Sequence, residues 1–338
     1  MKKILFVLLV CLFVILSFGK DKLHIFIWSV YMPDEVIENF EQEYDCDVII
    51  DLYDSNEAMY TKLRAGATGY DIAFPSGDYV SIMSNQGMLT ELNHEKLPNL
   101  KNLDPEILAK AEYDDGQKYS VPFQMGTTGI AVNEKYLKDY PESWSIFLDE
   151  SLKGKMTLLD DMREVFGGAL RYLGYSVNTT DLNELNEAKD LIMKWKSNIA
   201  KFDNEFFGKG IISGEFYAVH GYSENIFFEG SEGETEDINY FIPEEGAVLW
   251  IDSMVILENA PNKDLAHEFI NFVLRPESAK IVSEYLELPT PNMEGRKLVD
   301  ETDYIYTYED LKNCEAMLDV GEALRTYNNL WNEIRFGF

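Results

Sequence analysis

The chain has 338 residues and a formal charge of −31, from 29 basic against 60 acidic residues. That balance argues against a nucleic-acid binder, which needs clustered cations to neutralise phosphate, and disfavours docking on anionic lipid. It suits a cationic partner, although most of the carboxylates simply solvate the surface. With 46% hydrophobic and 13% aromatic residues the chain is no disordered acidic tail, and its length allows two lobes, each with a core. Three Cys and four His leave little for a disulfide framework or a zinc site, so no metal or cofactor is expected.

The N-terminus reads as a targeting segment. Lys2 and Lys3 precede an unbroken apolar run over residues 4–16, and Ser17 and Gly19 supply small residues before a cut at Lys20. The run is short for a spanning helix, so residues 1–19 are expected to be a secretory signal peptide, with a retained anchor as the alternative. Cys11 lies within that run. Only Cys46 and Cys314 remain beyond it, and free thiols are expected for both.

Residues 23–28 (LHIFIW) read as a buried strand. Pro33 then opens a helix with Val36, Ile37 and Phe40 on one face. Residues 47–53 form a second predicted strand. Ser55 caps a helix carrying Ala58, Met59, Leu63 and Ala65. Residues 70–74 form a third strand, ended by Pro75-Ser76-Gly77. This βαβαβ order implies a parallel sheet, and such sheets bind ligands at the carboxyl ends of their strands. Those ends carry Trp28-Ser29-Val30-Tyr31, Asp54-Ser55-Asn56 and Ser76-Gly77-Asp78-Tyr79. Residues 119–133 look like a long extended crossing segment. Residues 156–159 form a strand running into a helix that starts at Asp160-Asp161-Met162-Arg163-Glu164. Residues 181–196, 266–274, 276–286 and 319–334 read as helices, and residues 244–258 as a paired strand. Two α/β regions joined by extended crossings suggest two lobes hinged by β-strands.

Several collinear stretches carry a resemblance: YDSNEAMYTKLRAG (53–66), YDIAFPS (70–76), LLDDMREVF (158–166), LGYSVNTTD (173–181), LWIDSMVI (249–256), FVLRPESAK (272–280) and LPTPNMEGRKL (288–298). Together they resemble the bacterial periplasmic polyamine-binding proteins of ABC importers, the spermidine/putrescine (PotD) type, over nearly all of the chain beyond residue 23. The resemblance implies an α/β, type II-like periplasmic binding protein. Each lobe would be a mixed sheet flanked by helices, with a β-strand hinge. Lobe one would hold residues 20–126 and 252–296, and lobe two residues 127–251 and 297–338. It further implies a polyamine ligand, an inner-membrane ABC permease as partner, a periplasmic location and no enzymatic activity. A monomer is the default.

A polyamine site must partner each buried ammonium with a carboxylate or several oxygens and wall its methylenes with apolar surface. Aromatic rings serve doubly, because their faces attract cations. Trp250 and Asp252 alternate with Ile251 and so share one strand face, a platform beside an anchor. Asp161 and Glu164 stand three apart at a predicted helix start and project from one face. Read by spacing alone they are an N-terminal cap pair beside Arg163. Read with their flanking matches they resemble contacts to ligand amines. By resemblance, Trp28 and Tyr31 wall the slot, Ser29 contributes oxygen and Ser76 lines the pocket. Read without it, Trp28 is core, Tyr31 is exposed and Ser76 only serves a turn.

Departures from the family pattern stand at Asp78, in place of an aromatic; at His220, in place of a Trp and followed by Tyr222 and Glu224; and at Met317, in place of a Gln. Asp78 and Glu224 are candidate extra anchors, Tyr222 a candidate ligand-binding residue, and His220 a candidate that tunes affinity through its charge. The alternatives are a receptor of the same fold for another cationic solute, or a hydrolase using Asp161 and Glu164. The second is disfavoured because a pair on one helix cannot flank a scissile bond, and no GxSxG, P-loop or HExxH motif is present.

Overall fold

The structure, a computed structural model, describes residues 20–227, 233–301 and 304–337; the expected signal segment lies outside the described residues. Its strands are β1 (Asp21–Trp28), β2 (Cys46–Tyr53), β3 (Ile72–Ala73), β4 (Ser120–Thr127), β5 (Gly129–Asn133) and β6 (Met156–Leu158). They continue with β7 (Lys201–Phe202), β8 (Ala218–Gly221), β9 (Ile238–Phe241), β10 (Val248–Ile256) and β11 (Glu315–Ala316).

The N-terminal βαβαβ unit forms as the pattern requires. β1 lies between β2 and β3 and is parallel to both. Its central side chains Ile25, Phe26 and Ile27 are all buried, as expected for a strand covered on both faces. The first connecting helix, Asp34–Tyr44, turns Val36, Ile37 and Phe40 inward. The second, Asn56–Arg64, starts where the Ser55 side chain accepts from the Ala58 amide. It buries Met59 and Leu63, while Ala58 and Ala65 are exposed. β3 is shorter than its apolar run suggested. The Phe74 carbonyl, which would extend the ladder, instead accepts from the Tyr53 hydroxyl at 2.6 Å and the Trp28 indole at 2.9 Å.

The sheet is mixed rather than purely parallel, because β10 runs antiparallel to β3 and to β4. The second sheet has the order β7-β6-β8-β5-β9, with β5 antiparallel to β8 and β9. The two sheets are joined where β4 passes into β5 through Thr128 and where the chain leaves β9 for β10. β11 pairs with the first residues of β10, after which the helix Leu324–Phe336 returns to the second half. There the Tyr327 hydroxyl donates to the Thr179 carbonyl at 2.8 Å, and Lys189 pairs with Glu333. β10 is continuous across position 252, so the lobe boundary expected between residues 251 and 252 falls inside a strand. Cys46 and Cys314 are free and buried. No helix among the described residues is long and apolar enough to cross a membrane.

Candidate functional site

Asp252 sits in β10 where the pairing register with β4 shifts between Asp252 and Ser253. Such a bulge re-aims the side chain it contains. Its carboxylate is almost wholly buried and accepts two hydroxyls, Ser76 Oγ at 2.5 Å and Tyr31 Oη at 2.7 Å. Ser76 stands at the N-terminus of the helix Gly77–Asn85 but makes no side-chain cap bond; its hydroxyl serves Asp252 instead. Asn56 fixes Ser76 from behind, donating Nδ2 to its Oγ at 2.9 Å and accepting its amide at 3.2 Å. Tyr31, which the adjacent Pro33 suggested would be exposed, is half-buried by this bond and by an edge contact with Phe123. Burial pushes the Asp252 carboxyl up to about 6, with repulsion from Asp78 in the same direction and the two hydroxyls opposing.

Asp78 lies in the first turn of the Gly77–Asn85 helix, half-buried. Burial raises it to about 6, against the Tyr79 amide and the charge of Arg163 in the other half. Gly77 admits no side chain, because a Cβ would lie 2.4 Å from the ring of Tyr113, whose hydroxyl meets Ser253 Oγ at 2.9 Å.

On the other side of the junction Asp161 and Glu164 divide their work. Asp161 caps the helix Met162–Leu173, accepting the amides of Arg163 at 2.8 Å and Glu164 at 3.1 Å. Arg163 turns away from both acids. It donates to the carbonyls of Leu318 and Val177 and to Asn178 Oδ1, and lies over the ring of Tyr327. Glu164 is buried and accepts the Thr128 hydroxyl at 2.7 Å. Burial, reinforced by Asp161, pushes its carboxyl up to about 8.

His220 corrects an expectation. It has no exposed surface, its ring meets Trp144 edge-on at 4.9 Å, and its Nε2 lies 2.9 Å from Thr128 Oγ1. Thr128 thus stands between His220 and Glu164, sharing a hydrogen bond with each. Burial lowers the His220 pKa to about 3, so the ring stays neutral at physiological pH and cannot tune affinity by charge. Any influence it has runs through Thr128 and Glu164.

Trp250 is half-buried and lies across Gly126, where a Cβ would come within 2.2 Å of its ring. Directly opposed residues of an antiparallel pair share a face, and Trp250 opposes Gly126 as Asp252 opposes Gln124. Trp28 is half-buried, its indole nitrogen held by the Phe74 carbonyl and its ring 4.8 Å from that of Tyr53. Ser29 is exposed and donates to Asp54 Oδ1 at 3.2 Å. Tyr222 is half-buried just after β8, and the Glu224 side chain lies outside the described residues. Met317, half-buried, donates its amide to the Leu249 carbonyl beside Trp250.

The structure thus gathers Tyr31, Ser76, Asp78 and Asp252 around one carboxylate cluster, and Asp161 and Glu164 around a helix start in the other half. Reasoning from the sequence missed Thr128, which supports Glu164; its only signal was its place in the crossing segment. No Lys or Arg makes an ion pair with Asp252, Asp78 or Glu164 among the described residues. Such a site offers buried negative charge and aromatic surface to a cation, and no Arg clamp for a carboxylate. No group of three or more His, Cys, Asp or Glu is placed to hold a metal among the described residues.

A family model described as bacterial extracellular solute-binding protein matches residues 35–304. The chain is 37% identical over 326 residues to the spermidine/putrescine-binding periplasmic protein of Escherichia coli, covering 94% of this chain and 92% of that one. The crystal structure of the TpPotD lipoprotein of Treponema pallidum superposes with a TM-score of 0.86 at 39% identity, covering 94% of this chain and all of its own (100%). The spermidine/putrescine ABC transporter substrate-binding protein PotD of Streptococcus pneumoniae matches with a TM-score of 0.85 at 32% identity, over 93% and 98% of the two chains.

Proposed function

Because the chain belongs to the bacterial extracellular solute-binding proteins, we propose that it captures a polyamine, spermidine or putrescine, between its two halves and delivers it to an ABC importer. The observation that carries this reading is a set of carboxyls, Asp252 and Glu164 buried and Asp78 half-buried, whose pKa values are all raised by burial and with which no Lys or Arg makes an ion pair among the described residues. An ammonium group supplies the missing charge, and the rings of Trp28, Tyr31, Tyr222 and Trp250 suit the methylenes between ammonium groups. Asp252 is read as the anchor of one amine, with Ser76 and Tyr31 orienting it and Ser29 at the rim. Glu164, with Asp161 beside it, anchors a second. Asp78 supplies charge where the family pattern has an aromatic, and His220 acts only as a buried support.

The division into lobe one (20–126 and 252–296) and lobe two (127–251 and 297–338) is kept as a functional division, supported by the passage of β4 into β5 at Thr128. Ligand contacts from both halves favour the closed arrangement, which the permease then meets. The protein is read as an exported, periplasmic monomer whose residues 1–19 are cut or retained as an anchor. It is read as a carrier and not an enzyme, because Asp161 is engaged in its own helix cap and lies on the same side as Glu164.

Calorimetric titration of the chain from Lys20 with spermidine and putrescine, and with arginine and glutamate as controls, tests this. Saturable one-to-one binding of a polyamine is expected. A folded, ligand-free protein silent to both amines would overturn the reading.

A further inference from the structure

Gln124 lies on β4, in the stretch that joins the two halves, and is completely buried. Neither its Oε1 nor its Nε2 has a hydrogen-bond partner among the described residues. A buried carboxamide with both ends unpaired is costly and rare, and calls for a partner from outside the chain.

Its position names that partner. Gln124 directly opposes Asp252 in the β4–β10 pair, so both side chains leave the same face with Cβ atoms about 5 Å apart. Asp252 nevertheless takes its hydrogen bonds from Ser76 and Tyr31, not from Gln124. Gln124 therefore does not hold the carboxylate in place. Next along the same face are Gly126 and Trp250, and the Trp250 indole nitrogen also has no partner among the described residues. Gln124, Asp252 and Trp250 thus lie on one face of the β4–β10 pair: a neutral acceptor, a carboxylate and an aromatic ring.

We propose that Gln124 is a further ligand-binding residue whose Oε1 accepts a second hydrogen bond from the ammonium anchored by Asp252, selecting a primary amine end. This rests on the polyamine reading above. A primary ammonium has three N–H donors and satisfies Asp252 and Gln124 together. A dialkylated terminal nitrogen has one and leaves Gln124 unpaired.

The test is Gln124→Met, close in shape and without polar ends, with Gln124→Leu as a second variant should the first not fold. Each is titrated with putrescine and with N,N,N′,N′-tetramethylputrescine, whose ends carry one N–H each. The expected result is putrescine binding about ten- to a hundredfold weaker than wild type. The melting temperature of the ligand-free variant should be unchanged or higher, since an unpaired buried amide is removed. The tetramethylated amine should bind wild type and variant within about twofold of one another. Putrescine affinity within about twofold of wild type overturns the proposal, as does a lowered melting temperature with unchanged affinity, the mark of a structural amide. A wild-type protein that binds no amine would instead fail the polyamine reading itself.

Discussion

With Glu164 as the partner of one ammonium, as proposed, polyamine binding should release a proton. With its carboxyl pushed up to about 8 by burial, Glu164 is mostly protonated at neutral pH in the free protein. An ammonium partner requires the ionised form, so affinity scales with the ionised fraction. The amine stays charged, since an alkylammonium such as lysine titrates near 10.4. The ionised fraction is about 0.9 at pH 9, about 0.09 at pH 7 and about 0.01 at pH 6, by the titration of a single group near 8. Affinity should therefore fall about tenfold from pH 9 to pH 7 and about ninetyfold to pH 6, or roughly 2.7 kcal/mol at 1.36 kcal/mol per unit. Asp252, pushed to about 6, steepens the loss below that. Near pH 7 about 0.9 proton should leave Glu164 per ligand bound. Calorimetry in phosphate and in Tris reads that number from the dependence of the binding heat on buffer ionisation. Glu164→Gln should abolish the release, bind far more weakly at pH 9 and approach wild type at pH 6. Affinity constant between pH 6 and 9, with no proton release, would refute the assignment of Glu164 as an ammonium partner.

Asp252→Asn should weaken spermidine binding by about 1.5–3 kcal/mol, the worth of a hydrogen bond to a charged group, and unchanged affinity in the titration would remove Asp252 from the site. Gly126→Ala places a methyl 2.2 Å from the Trp250 ring and 2.7 Å from the Tyr306 hydroxyl. It should cost about 1–3 kcal/mol of stability in urea denaturation and displace Trp250, quenching any ligand-induced tryptophan fluorescence change. Ligand-free stability should fall with rising pH. Glu164 binds its proton more tightly folded than unfolded, so its contribution is complete below its ordinary value of 4.5 and is lost as pH climbs through about 8. Melting temperatures should show this decline in wild type, and Glu164→Gln should remove its upper part.

Much of the fold was legible locally. Apolar β-branched strands, Pro33 before the first helix and Ser55 capping the second are signals within one stretch of chain, and the first two strands and the first two helices formed where they placed them, while the third strand came out shorter. The antiparallel insertion of β10 beside β3 was not legible, because strand pairing between residues near 73 and 255 has no local signal. The candidate site divides in the same way. The carboxylates and aromatics at strand ends could be named because residue type and strand-end position are written in the chain, and the family resemblance ordered them further.

What the sequence determined by itself is therefore the class: an acidic α/β protein with carboxylates and rings where strands end. What only the tertiary structure decided is which of those groups remain for a ligand. Arg163 was taken by the carbonyls of Val177 and Leu318, and His220 was buried and neutralised behind Thr128. Gln124, undistinguished in the crossing segment, was left with an unpaired carboxamide opposite Asp252. The reason is physical: hydrogen-bond partners and desolvation come from residues distant in the chain, and they set charge and availability where residue type sets only potential.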